Sequence, residues 1–163
     1  MKILKNLVCA TAFAVCSVAS SMSSAASISP EGPFTTEPGY IIVKSPSSFG
    51  AAVTCGITLG GNIINGMARV ERVVMTGGGL CIYVPMFIGS PWLLSVTRGS
   101  TGLTMTNVSY KIQSIPTTNC GPTSILVSWD PNTKTLSSAN QSLSGNCTVV
   151  SLSVGAPSLT VNP

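Results

Sequence analysis

Ala51-Ala52-Val53-Thr54-Cys55-Gly56-Ile57-Thr58-Leu59 is the stretch on which the fold turns. Val53, Cys55, Ile57 and Leu59 are apolar, while the residues between them are small or hydroxylated. Successive side chains of a strand face opposite sides, so this spacing describes one buried and one solvated face. Cys55 points inward on this reading. A cysteine on a buried face is placed to tie its strand to another part of the core, and Cys81, Cys120 and Cys147 follow it as partners.

Upstream, Met1-Lys2-Ile3-Leu4-Lys5 is a basic start, 7–19 is an apolar run, and Ser24-Ala25-Ala26 is a small-residue site. Together they read as a signal peptide over residues 1–26, with cleavage expected after Ala26. The apolar run is too short to span a bilayer comfortably. Cys9 and Cys16 follow Val8 and Val15, not the small residue that a lipid-attachment box requires. Residues 27–163 are then expected to form a single secreted β domain, with the periplasm and the cell surface as other addresses. No later segment holds about 20 uninterrupted apolar residues.

Loss of the signal would leave 137 of the 163 residues, enough for one ordinary core. Lys44, Arg69, Arg72, Arg98, Lys111 and Lys134 then face Glu31, Glu37, Glu71 and Asp130, a net charge of about +2. Nucleic acid demands clustered Lys and Arg, so no nucleic-acid partner is expected. Ser and Thr make up about a quarter of those residues, which implies a hydroxyl-rich, weakly charged surface. Such a surface is compatible with an apolar interface.

Four cysteines remain, and four allow three pairings. Their gaps are 26, 39 and 27 residues, so Cys55 with Cys81 and Cys120 with Cys147 would close two loops of nearly equal size. That sequential pairing is favoured, the other pairings and reduced thiols remaining open. Each such loop would stabilise the fold by roughly 3 to 4 kcal/mol in the chain-entropy model. A zinc site is not expected: there is no Cys-x-x-Cys pair, and histidine is absent throughout.

Pro30, Pro33 and Pro38 with Gly32 and Gly39 make residues 27–39 an extended, partly tethered lead. Tyr40-Ile41-Ile42-Val43 is a short strand, and Asn65-Gly66 is a hairpin signal after the cysteine strand. Residues 68–76 continue as a strand in which Arg72 breaks the alternation of Arg69 and Glu71, implying a bulge or an edge. Gly77-Gly78-Gly79 turns into Leu80-Cys81-Ile82-Tyr83-Val84, which is apolar on both parities and expected to be a doubly buried strand ended by Pro85. The glycines are not a phosphate loop, since Gly-Lys-Ser/Thr does not follow.

Strands are further expected at 92–97 and at 103–112, joined by a turn over 98–102. The second carries a parity switch and hence a bulge near Thr106-Asn107. Ile125, Val127 and Trp129 line one face of the next strand, and Asp130-Pro131-Asn132 turns out of it. Residues 133–146 have only Leu136 and Leu143 as apolar anchors, so strands there would be exposed. Val150, Leu152 and Val154 restore a buried face. The sum is an all-β chain of about eight to ten short antiparallel strands with two disulfides. It is expected to close as a β-sandwich or a flattened barrel.

Chemistry is scarce. Without histidine the usual general base and triad partner is missing, and no Gly-x-Ser-x-Gly elbow is present. Glu71 reads as half of a surface ion pair and Asp130 as the cap of its turn rather than as a glycosidase pair. No catalytic residue, cofactor or metal is assigned. Trp92 and Trp129 are the candidates for an apolar or ligand-binding surface, with Tyr40, Tyr83 and Tyr110 behind them, although core packing is the default for aromatic residues.

The segment Ser27-Ile28-Ser29-Pro30-Glu31-Gly32-Pro33, the cysteine strand 53–59, Gly78-Gly79-Leu80-Cys81 and Gly145-Asn146-Cys147-Thr148 resemble the PraA/PraB family of bacterial activators of alkane oxidation. The resemblance implies a secreted, non-enzymatic protein that promotes growth on long-chain alkane by dispersing or presenting the hydrocarbon at the cell surface. Its implied partner is the alkane or the oil–water interface, with the cell surface or self-association as further possibilities. No site residue is carried over. The alternatives are a surface adhesin or extracellular fibre subunit, which exposed β edges would permit, and a carbohydrate-binding module using Trp92 or Trp129.

Overall fold

The computed structural model describes residues 26–84, 87–97 and 102–163, and for 87–89 it describes the backbone alone. The expected signal segment up to Ala25, the strand end at Pro85 and the turn over 98–101 lie outside these residues.

The described chain is β structure broken by two short 3₁₀ turns, Pro46–Ser48 and Gly79–Tyr83. Three strands occupy the lead and the segment after it: β1 (Ser27–Ser29), β2 (Gly32–Thr35) and β3 (Gly39–Lys44). The long strands are β4 (Val53–Ile64), β5 (Met67–Thr76), β6 (Phe87–Val96), β7 (Gly102–Ile112), β8 (Thr118–Asp130), β9 (Thr135–Leu143) and β10 (Cys147–Gly155). A last short strand, β11 (Thr160–Asn162), pairs with β1 in a separate two-stranded sheet.

From β3 to β10 each strand pairs antiparallel with the next, and β10 returns to β3. That return of β10 to β3 closes the ring, so the all-β expectation resolves into an eight-stranded up-and-down barrel. Closure removes the edges that an open sheet exposes. β2 continues along β4 beyond the reach of β3: β3 pairs with Val53 to Ile57, and β2 with Gly60 to Ile63.

The alternation read at Cys55 is the rule of the whole wall. Cys55, Ile57, Leu59, Leu103, Met105, Ile125 and Val127 are buried, whereas Thr54, Thr58, Thr104, Ser124 and Ser128 between them are half-buried or exposed. A barrel of eight strands has an interior that side chains can fill, and this one is filled by apolar groups. Apolar-in and hydroxyl-out is the inverse of the pattern on a membrane-spanning barrel. Among the described residues, no helix is long and apolar enough to cross a membrane.

Register shifts adjust the alternation, and those on β5, β7 and β10 bear on the buried face. On β5, Gly60 faces Arg72 and Gly61 faces Val70, so Glu71 is the extra residue and the buried parity passes from Val70 to Val73. This is the irregularity expected at Arg72. Gly61 permits it because a Cβ there would run into the Arg69 carbonyl. On β7 the register shifts between Met105 and Val108, where Asn107 takes a φ of +60°, as expected for Thr106-Asn107. On β10 the shift lies between Val149 and Ser151, so Val149, not Val150, is the buried neighbour of Leu152.

The doubly buried strand expected over 80–84 is corrected. Gly79–Tyr83 is a 3₁₀ turn in which Cys81 is buried while Ile82 is 66% and Tyr83 46% exposed. Gly77 and Gly79, both at positive φ, turn the chain away from β5 before another strand can form.

Candidate functional site

In an up-and-down barrel alternate links share an end. The links β3–β4, β5–β6, β7–β8 and β9–β10 therefore lie together, at the end where β4, β8 and β10 begin. Both disulfides belong to this end. Cys55, the third residue of β4, holds Cys81 of the second 3₁₀ turn with their Cα atoms 5.6 Å apart. Cys120 of β8 holds Cys147 at the start of β10, also at 5.6 Å, past the end of the intervening β9. The connectivity is the sequential one, and all four cysteines are buried.

Hydrogen bonds fasten the links to one another. In the β3–β4 link, the backbone N–H of buried Ser47 donates to Thr118 Oγ1 at 3.0 Å and its hydroxyl donates to the Pro116 carbonyl at 2.7 Å. The β5–β6 link is joined to the end of β7 by the Gln113 N–H donating to the Tyr83 carbonyl at 2.9 Å. Within the β7–β8 link, the Ser114 hydroxyl donates to the Pro116 carbonyl, and the Thr117 hydroxyl donates to the Ser114 carbonyl. Polar atoms of these links are thus largely turned toward one another.

Their apolar side chains are turned out. Phe49 is 87%, Ile82 66%, Tyr83 46% and Ile115 98% exposed. Phe49 in addition holds a φ of +51°, a left-handed conformation that bulky residues rarely adopt. Its ring is thus held largely in water on a strained backbone. Four large apolar side chains from three fastened links are exposed at this end, its apolar rim, whereas Ile64 and Met67 at the opposite end and Tyr40 and Leu126 on the wall are the other large apolar groups in water. Beside the rim an open cleft of about 520 Å³ is lined by Tyr83, Lys111, Gln113, Ser114, Ile115 and Thr117.

The two tryptophans separate. Trp92 is 2% exposed and its Nε1–H donates to the Ser109 carbonyl at 3.1 Å, so it belongs to the core and offers no surface. A ligand-binding role for Trp92 is corrected accordingly. Trp129 is half-buried near the opposite end, where the Lys134 ammonium lies 5.7 Å from its ring centroid. With Pro131, Val161 and Pro163 it lines a small cleft of about 240 Å³. Tyr40 is 45% exposed on the wall, and Tyr110 is buried with its hydroxyl unpaired among the described residues. Burial without a partner pushes the Tyr110 phenol well above its ordinary value.

Glu71 makes an exposed ion pair with Arg69 at 3.8 Å and accepts from Asn62 Nδ2 at 3.2 Å. Asp130 Oδ1 accepts from the Asn132 N–H at 2.8 Å, which with the bonds from Thr133 holds its carboxyl below the usual range. Both thus act as the sequence implied, and β5 and β8 stand three strands apart in the ring. Phe49, Ile82 and Ile115 were not candidates in the sequence. The available signal was a large apolar residue in each of three links, where polar residues are usual.

A family model described as alkane oxidation protein activator, PraA/PraB-like, matches residues 1–163, the whole chain. No curated protein and no solved structure matches it.

Proposed function

The chain belongs to the PraA/PraB-like family of alkane oxidation protein activators, and from this premise we propose that it acts outside the cytoplasm, without catalysis, by seating its apolar rim at the surface of liquid alkane. The observation that carries this reading is the exposure of Phe49, Ile82, Tyr83 and Ile115 at the one end that both disulfides brace. Exposed apolar groups on a soluble surface mark an interaction site when they cluster and are scattered normally when they do not. At an oil–water boundary these side chains leave water while the hydroxylated wall stays in it. The barrel then orients, lowers interfacial tension and keeps droplets small and close to the cell.

Two disulfides fit an oxidising, extracytoplasmic compartment, which is where the basic start and apolar run would send the chain. The fibre alternative would have to use the edges that closure of the ring leaves, those of β2, of the β1–β11 pair and of β8 and β9 beyond their three paired residues.

The test is growth of a deletion strain on hexadecane and on succinate, with and without purified protein in the medium, together with pendant-drop tensiometry. A defect confined to hexadecane and rescued from outside, with lowered tension at the drop, is expected. Equal growth on both carbon sources and an unchanged tension would overturn the proposal.

A further inference from the structure

The cleft beside the rim has an uneven chemistry. Tyr83 and Ile115 give it an aromatic and an aliphatic wall, and both are held in place: Tyr83 by its carbonyl bond to Gln113 and by Cys81 two residues earlier, Ile115 by the bonds within 114–118. The Ser114 and Thr117 hydroxyls are engaged with backbone carbonyls. That leaves Lys111 as the charged group of the lining. It is exposed, and among the described residues the one ion pair is Arg69 with Glu71, so no carboxylate of these residues lies within ion-pair distance of it. The nearest acidic residues in sequence are Glu71 and Asp130, on other strands of the ring.

An uncompensated ammonium next to an apolar shelf selects an anion with a hydrocarbon tail. A neutral alkane would gain nothing from Lys111, and a cationic surfactant would be repelled by it. The volume, about 520 Å³, lies in the range of small-molecule sites. We propose that this cleft binds a free long-chain monocarboxylate. Its carboxylate meets Lys111 and the Gln113 amide, and its first methylenes lie between Tyr83 and Ile115. The remainder of the chain runs out toward the rim. The inference deepens the interfacial reading and rests on it for bringing long chains to this end of the barrel. It adds a ligand of a different class from the alkane itself: the acid that terminal oxidation of an alkane yields.

Binding of dodecanoate below its micelle concentration is measured by titration calorimetry on the purified full chain, with the Ile115 methyl resonances reporting the location. Dodecanoate is expected to bind and to shift Ile115. Raising NaCl from about 20 mM to about 500 mM should weaken it as screening shortens. Lys111→Gln should raise Kd about 3- to 5-fold, as befits an exposed ion pair, and Lys111→Glu about 10-fold or more. Dodecyltrimethylammonium should bind more weakly than dodecanoate. Lys111 is exposed on the barrel wall, so both variants should keep the wild-type circular dichroism spectrum.

An unchanged Kd in Lys111→Gln, equal affinity for the cationic detergent, or shifts confined to the Trp129 cleft would each overturn the proposal. Binding to phosphatidylglycerol vesicles without binding of monomeric dodecanoate would overturn it too, in favour of a lipid headgroup. The two readings fail separately. Lowered hexadecane tension with no dodecanoate binding removes the carboxylate site alone, whereas Lys111-dependent dodecanoate binding with an unchanged tension removes the interfacial reading alone.

Discussion

Ile115→Ser is the substitution that measures the rim. Ile115 is 98% exposed in a link whose bonds are made by its neighbours, so the folded state gives up almost nothing when the side chain is cut back. At an alkane surface the balance differs. Moving a whole large aliphatic side chain out of water is worth about 1.5 to 3 kcal/mol, and nearly all of this one is available to move. Half-maximal adsorption should therefore require a roughly 10- to 150-fold higher bulk concentration, since about 1.4 kcal/mol is a factor of ten.

The assay is the equilibrium tension of a hexadecane drop as a function of protein concentration, with unfolding curves showing that stability is within about 0.5 kcal/mol of wild type. Leu126→Ser is the control. Leu126 is 66% exposed, but it sits on β8 and points outward from the wall, between Ser124 and Ser128. A patch at one end predicts that this variant shifts the isotherm by no more than about twofold, well short of the Ile115 effect. Superposable isotherms for Ile115→Ser and wild type, or an equal shift for Leu126→Ser, would refute the argument that the end of the barrel, rather than apolar surface in general, makes the contact.

Other expectations concern the frame. Replacing Cys55 and Cys81 together by Ala reopens a loop of 26 residues and should cost about 3.5 kcal/mol in guanidinium unfolding; a loss below about 1 kcal/mol would mean that the turn is held by its other contacts. Tyr110→Phe removes a buried hydroxyl that has no partner among the described residues, so at neutral pH the variant should be as stable as wild type or more stable by about 1 kcal/mol. The same residue should govern alkaline unfolding. Because the folded phenol is raised above its ordinary value of 10.0, the unfolded chain releases its proton first. Stability is then full below about pH 10 and falls as the pH rises further, and Tyr110→Phe should flatten that fall. Gly121→Ala should destabilise by about 1 to 3 kcal/mol, since Gly121 has a φ of +79° and a Cβ would meet the Val108 carbonyl; a neutral result in thermal melts would show that β8 relaxes at this point.

Much of the frame was legible because its causes are local. The period-two pattern from Val53 to Leu59, the Asn65-Gly66 turn, the parity breaks at Arg72 and at Thr106-Asn107, and the turn cap at Asp130 each depend on a few adjacent residues. The near-equal spacing of the cysteines favoured the pairing that the barrel contains. The reading failed at Leu80-Cys81-Ile82-Tyr83-Val84 because an apolar run says nothing about whether partners are present. There the chain is tied by one disulfide to β4 and turns Ile82 and Tyr83 into water.

The sequence by itself determined an all-β chain of alternating apolar and hydroxylated residues, cross-linked by cysteines and lacking the groups for acid–base catalysis by histidine. Tertiary structure alone decided that β10 returns to pair with β3, turning a run of hairpins into a closed ring. That ring gathers Phe49, Ile82, Tyr83 and Ile115, scattered over more than 60 positions, at one end. Strand alternation is set between neighbours along the chain, whereas the company a link keeps is set by which strands pair far apart in sequence, and no local pattern encodes that.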